Sequence, residues 1–142
     1  SDKLLDIEES MGVVQDVTQS WMPNLYMGMR PANFGYPADF AQLEEGKAKI
    51  KEMREKWTKE ELPKFLDRIE GLLNGSGGKW LVAGDEPTIA DCLAVPMLRN
   101  FTRGHIDHVD MTCLDSHPKI VEYIKRFCAL DAIQGRYTNG IC

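Results

Sequence analysis

Apolar side chains recur every three or four positions over residues 2 to about 29. Leu4, Ile7, Met11, Val14, Thr18 and Trp21 form one row, and Leu5, Val13 and Val17 a second. That spacing is the helical period, so the segment is expected to form a first helix. Pro23 is expected to kink or interrupt it, because the ring lacks an N–H and crowds the preceding turn. Prolines and glycines then mark a loop over residues 28–37. From Pro37 or Ala38 onward, Leu43, Ile50, Met53, Trp57, Leu62, Phe65, Leu66, Ile69, Leu72 and Leu73 trace a long apolar stripe. Lys and Glu at i, i+4 spacings make the opposite, solvated face. An unbroken helix there would extend ~50 Å at 1.5 Å per residue. Pro63 is expected to bend it, and the glycine-rich residues 74–78 end it.

The next helix announces itself through its cap. Thr88 and Asp91 stand three apart ahead of an apolar run, Cys92 to Leu98. The Thr88 hydroxyl is placed to accept from the N–H of Asp91, and the Asp91 carboxylate to accept from the N–H of Thr88. This is a capping box with Asp in the usual Glu or Gln position, and its charge sits at the positive end of the helix dipole. The helix is expected to run from Thr88 to about Thr102 and to start inside the core. Residues 103–113 look irregular. Pro118 opens another helix whose apolar face is Ile120, Val121, Ile124, Phe127 and Cys128. A short last helix is expected from Leu130 to about Gln134, followed by a polar tail. With no strand-like alternation and no repeat, the pattern predicts an all-α bundle of about five helices with no sheet, a single domain over residues 1–142.

Composition narrows the function classes. With 17 Lys and Arg against 22 Asp and Glu, the net charge of −5 argues against nucleic acid and anionic membrane surfaces. No apolar stretch nears the ~20 residues of a membrane span, and no basic-then-apolar signal opens the chain. The chain begins with Ser1 rather than Met and reads as a piece of a longer protein. Cys92, Cys113, Cys128 and Cys142 form no C-x-x-C pair and are read as reduced thiols of a cytoplasmic protein, with Cys92 packing as a small hydrophobe.

Candidate chemistry is sparse. His105 and His108 lie near Asp107 and Asp110, but the segment is irregular and only His117 could complete a set, so they are read as loop histidines and no metal is expected. The glycines at 75, 77 and 78 lack the Lys-Ser/Thr of a nucleotide-binding loop. Glu8-Glu9 and Glu44-Glu45 are helix neighbours that point apart, so neither is an acid–base dyad. No catalytic residue is expected in this chain.

Three stretches resemble the C-terminal helical domain of cytosolic glutathione transferases. They are Trp80-Leu81-Val82-Ala83-Gly84-Asp85 with Thr88-Ile89-Ala90-Asp91, the proline-interrupted Glu61-Leu62-Pro63-Lys64-Phe65-Leu66-Asp67, and the segment from His117-Pro118 to Phe127. The details are closest to the sigma, alpha and pi-like branch. The resemblance implies an orthogonal helical bundle that supplies the hydrophobic co-substrate pocket and part of a homodimer interface. In that family a thioredoxin-like α/β domain carries the catalytic Tyr, Ser or Cys and most of the glutathione site. No βαβ pattern occurs here, so the isolated chain is expected to be inactive. Glutathione is implied as a co-substrate of the parent, with no cofactor.

By the same resemblance, the first helix lines the pocket through Met11, Val14, Val17 and Trp21, with Tyr137 contributed by the tail. An acidic residue of that helix reaches glutathione across the dimer in many members. The matching position is Ser10, which departs from the family's Asp, with Asp6 and Glu9 close enough to substitute. Thr88 and Asp91 carry a structural role. A different class stays open: a non-catalytic glutathione-transferase-like module that assembles translation factors or synthetases. An exposed apolar patch built from Trp21, Trp57 and Trp80 would mark an interaction surface under either reading.

Overall fold

The computed structural model describes residues 2–142, and among them there is no strand. Five α-helices form a bundle: α1 (Lys3–Met29), α2 (Glu44–Lys56), α3 (Leu62–Gly75), α4 (Ile89–Asn100) and α5 (Pro118–Cys128). The all-α architecture agrees with the sequence pattern, although the elements divide differently. The long second helix is two helices, and the short helix expected after Leu130 is a pair of hydrogen-bonded turns.

α1 is capped by Asp2, whose Oδ1 accepts from the N–H of Leu4 at 2.9 Å. It continues through Pro23 to Met29. Pro23 therefore does not end the helix. The guanidinium of Arg54 from α2 instead serves carbonyls just beyond it, with Nε donating to Asn24 O at 3.0 Å and Nη2 to Leu25 O at 3.1 Å. Nη1 donates to Asp107 O at 3.1 Å, joining α1, α2 and the loop after α4. Arg54 belongs to a stretch read as solvated, yet it is buried. Desolvation holds its pKa below the ordinary value, partly offset by the charge of Asp107.

No α-helix begins at Pro37. Short 3-10 turns occupy Pro31–Phe34 and Phe40–Gln42, and α2 starts only at Glu44. The reason is a close backbone approach: a Cβ on Gly46 would lie 1.6 Å from the Phe40 carbonyl oxygen, so only glycine admits this turn against the first turn of α2. Between α2 and α3, residues Trp57–Glu61 form a π-helical turn, with the N–H of Leu62 bonded to Trp57 O. Pro63 cannot donate and crowds the carbonyl one turn back. The widened turn just ahead of it absorbs that conflict in place of a simple bend.

The core gathers on α3, α4 and α5, with Leu62, Leu66, Ile69, Val95, Leu98, Ile120 and Ile124 wholly shielded. α4 buries one face only. Ala90, Asp91, Ala94, Val95 and Leu98 face inward, whereas Ile89, Cys92 and Leu93 are exposed, which corrects the expectation that Cys92 packs as a core residue. A second correction concerns the thiols. Cys128 and Cys142 form a disulfide with a Cα–Cα distance of 5.5 Å, leaving Cys92 and Cys113 as the free cysteines. The fold carries the end of the tail back to α5, a proximity that linear spacing does not reveal.

Candidate functional site

α1 meets α4 along an apolar groove. α1 and α4 make the most extensive contact between elements in the bundle. Where they part, two clefts open. The larger, about 600 Å³, is lined on α1 by Val17, Thr18, Trp21, Met22, Leu25 and Met29, and across from it by Met97, Phe101 and Ile106. The second, about 520 Å³, is lined by Glu8, Met11, Gly12, Val14, Gln15 and Thr18 of α1 and by Leu93 and Met97 of α4. Thr18 and Met97 line both clefts, so the two form one groove with a waist. At that waist the Thr18 hydroxyl approaches Met97 Sδ at 3.5 Å and donates to Val14 O at 3.2 Å.

The methionines give this lining its character. Met11, Met22, Met29 and Met97 are unbranched and polarisable, and such side chains adjust to irregular ligands. Polar groups gather at the wide end, where Asn100, His105, Asp107 and Arg54 border the larger cleft. An apolar cleft with a few convergent polar groups is the usual form of a small-molecule site, and each cleft falls within the ~300–1,000 Å³ of such sites.

Trp21 forms the back wall. Its ring lies 4.9 Å from that of Trp57 and 5.4 Å, edge-on, from that of Phe101. Trp57 in turn donates its indole N–H to Ser20 Oγ at 2.9 Å. Aromatic pairs in such geometries add specific attraction beyond their buried area. The floor of the larger cleft is therefore stiff, whereas the methionine walls can move.

Of the residues named from sequence, Val17 and Trp21 border the larger cleft, and Met11 and Val14 the smaller. Val17, Trp21 and Val14 also belong to the buried core. Tyr137 stands apart, with its ring 4.0 Å from Arg99 Cζ inside the C-terminal tail. Asp6, Glu9 and Ser10 meet in a separate cleft of about 250 Å³, walled by Gly71, Leu72, Gly75 and Ser76 of the α3 end and by Leu81, Val82 and Ala83. Ser10 is buried there, while Glu9 is exposed. Trp21, Trp57 and Trp80 are all buried and form no exposed patch.

Sequence reasoning missed Thr18, Met22, Leu25, Met97, Phe101 and Arg54 as lining residues. Met22 follows Thr18, and Leu25 and Met29 follow Trp21, at spacings of four, a signal that was available. Arg54 carried none.

The expected capping box of Thr88 and Asp91 is present, with the Thr88 hydroxyl also serving the N–H of Ala90, and the cap extends further. Asp91 Oδ2 accepts from the N–H of Thr88 at 2.8 Å, and the Thr88 hydroxyl oxygen accepts from Ala90 N–H at 3.2 Å. The other carboxylate oxygen takes the N–H of Leu81 at 3.0 Å and the phenol of Tyr123 at 2.7 Å. One wholly buried carboxylate thus ties the loop before α4, the start of α4 and the middle of α5.

Among the described residues no group of three or more His, Cys, Asp or Glu is arranged to hold a metal ion. His105 and His108 are exposed. His117 stands just before α5 and contacts Asp67 Oδ1 through Nε2 at 2.8 Å and Ser116 Oγ through Nδ1 at 2.9 Å. No described helix is long and apolar enough to cross a membrane.

Residues 37–137 match the family model described as glutathione S-transferase, C-terminal domain. That range takes in α2 to α5 and well over half of the chain, and the chain belongs to this family. α1, which carries one wall of the groove, lies ahead of the matched range. Comparisons with curated proteins and with solved structures gave no match.

Proposed function

We propose that this chain supplies the hydrophobic co-substrate site of a glutathione transferase. The observation that carries this reading is the methionine-lined groove between α1 and α4, stiff at Trp21 and richest in polar groups at its wide end, in a chain of this family. The apolar part of an electrophile would lie along Met11, Val14, Val17 and Trp21. Its polar end would face Asn100 and His105. Tyr137 is part of this reading only if the tail reorganises around its cation–π contact with Arg99.

Glutathione and the catalytic hydroxyl or thiol would come from a thioredoxin-like domain. Exposed Leu4, Leu5, Ile89 and Leu93, on the opening turns of α1 and α4, offer apolar surface for its docking. The parent would be a homodimer of the sigma, alpha or pi-like branch, with Asp6, Glu9 and Ser10 directed toward the glutamyl ammonium of glutathione in the other subunit. A cytoplasmic setting belongs to the same reading, and there the Cys128–Cys142 bond would face a reducing thiol pool. All three tryptophans are buried, so they build no interaction surface under either reading.

Binding of the fluorescent aryl sulfonate 1-anilinonaphthalene-8-sulfonate tests the groove directly. The dye is expected to bind and to be displaced by aryl electrophiles. Thr18→Trp, which plugs the waist, should abolish binding without changing the helical circular dichroism. Equal binding by wild type and variant would reject the assignment. The chain alone should show no conjugation of glutathione. In the full-length dimer, Asp6→Ala and Glu9→Ala together should weaken glutathione binding, and an unchanged affinity would remove both residues from that role.

A further inference from the structure

Asn100 borders the main cleft and also a second, smaller cavity of about 190 Å³ between the end of α4 and the C-terminal tail. Its other walls are Pro96, Arg99 and Arg103 from the α4 side and Arg136, Tyr137, Thr138 and Asn139 from the tail. Three guanidinium groups therefore meet around one cavity that no carboxylate lines. This happens in a chain whose net charge is −5. Among the described residues, none of the three arginines forms an ion pair with Asp or Glu.

We propose that Arg99, Arg103 and Arg136 form a binding site for a small tetrahedral oxyanion, a phosphate or sulfate group. Each arginine is steered by a carbonyl and keeps donors to spare. Arg99 Nε donates to Ile141 O at 2.9 Å, and its Nη2 is bonded to Asn139 O. Arg103 Nη1 donates to Asn100 Oδ1 at 3.3 Å, and Arg136 Nε to Ala132 O at 2.6 Å. A guanidinium carries five N–H donors in a rigid fork, so each retains N–H groups for a ligand. Side-chain amides and hydroxyls of Asn100, Asn139, Thr138 and Tyr137 line the same space.

The electrostatics point the same way. Burial chiefly holds Arg99 below its ordinary pKa; Tyr137 offsets part of this, and the like charge of Arg103 adds a smaller lowering. An anion in the cavity relieves that repulsion and takes charge-assisted hydrogen bonds from all three forks. Size sets the class, since the space is below the ~300 Å³ at which sites for drug-sized ligands begin. It admits the oxyanion itself or the head of an ester whose remainder extends outward.

The test is a two-dimensional amide NMR titration of the full chain at constant ionic strength, with inorganic phosphate in one arm and phenyl phosphate in the other. Saturable shifts confined to residues 96–103 and 136–139 are expected. Arg103→Gln combined with Arg136→Gln should weaken binding by about tenfold or more. Both positions are exposed, so the melting temperature should hold. Tighter binding of phenyl phosphate assigns an ester as the ligand, and equal or weaker binding assigns the free ion. Shifts that do not saturate, that chloride reproduces, or that persist unchanged in the double variant would overturn the site.

Discussion

Tyr123 in the middle of α5 donates its phenolic hydrogen to Oδ1 of Asp91 at 2.7 Å, and that same oxygen accepts the N–H of Leu81. The capping carboxylate is thereby also a tertiary joint. Replacing Asp91 by Ala leaves the N–H groups of Leu81 and Thr88 and the Tyr123 hydroxyl without an acceptor. Each unpaired buried donor costs about 1–3 kcal/mol, so with three of them Asp91→Ala should lose at least ~3 kcal/mol of stability. Asp91→Asn keeps one carbonyl oxygen and should lose less. Tyr123→Phe removes one donor only, for a loss of about 1 kcal/mol. Urea midpoints of the three variants should fall in that order, and equal midpoints for wild type and Asp91→Ala would contradict the joint.

The same joint predicts behaviour at high pH. Burial first, and then the negative charge of Asp91, push the Tyr123 phenol well above its ordinary value. Burial, with Asp110 next, lifts the Cys113 thiol from 9.0 to about 11. In both groups the folded pKa exceeds the unfolded one, so the unfolded chain releases its proton first. Their contribution to stability is complete below the unfolded values and is lost as pH rises. Stability should begin to fall near pH 9 as unfolded Cys113 ionises, and fall more steeply above about pH 10 when tyrosine joins. Each group adds a slope of at most ~1.4 kcal/mol per pH unit. Cys113→Ala should remove the first part of the decline and Tyr123→Phe the second, both measurable from urea midpoints across that range.

Two helical glycines should respond to alanine with opposite signs. At Gly71, in α3, an added Cβ meets nothing within 4 Å, so helix propensity alone acts and Gly71→Ala should stabilise by about 0.5–1 kcal/mol. At Gly28 the Cβ would lie 2.5 Å from Arg54 Nη2. That guanidinium is fixed by carbonyls of Asn24, Leu25 and Asp107 and cannot retreat without breaking bonds. Losing even one charge-assisted bond costs ~1.5–3 kcal/mol, which exceeds the propensity gain. Gly28→Ala should therefore lower the thermal midpoint while Gly71→Ala raises it.

The contrast between these glycines shows what one-dimensional pattern can and cannot carry. Helical periodicity located α1, and the Thr88–Asp91 spacing located the start of α4, because both signals are local. Met11, Val14, Val17 and Trp21 were placed beside the groove by the same periodicity, read through the family resemblance. The π-helical turn at Trp57–Glu61 escaped because Pro63 can be relieved by a bend or a widened turn, and neighbouring packing chooses. Arg54 escaped because its partners are backbone carbonyls, which every sequence possesses. The face of α4 that holds Cys92 and Leu93 was misjudged for a related reason: apolar character does not say whether a neighbour covers it.

The tail supplies the last test. Cys128 and Cys142, 14 residues apart, close a loop that also contains the turns after α5. Arg99 holds the carbonyls of Asn139 and Ile141, and the Thr102 hydroxyl accepts the N–H of Ile141 at 3.0 Å. A Cβ at Gly140 would approach Thr102 Oγ1 to 2.6 Å, so the tail lies tight against the end of α4. Crosslinking a loop of this length stabilises by about 3 kcal/mol in the chain-entropy model, and the Arg99 contacts persist without it. Cys142→Ser, or reduction with excess thiol, should therefore lower the melting temperature without unfolding the bundle. The loosened tail should then be cut faster by trypsin after exposed Arg136. Oxidised wild type and Cys142→Ser that melt alike and are cleaved alike would show that the bond does not hold the tail.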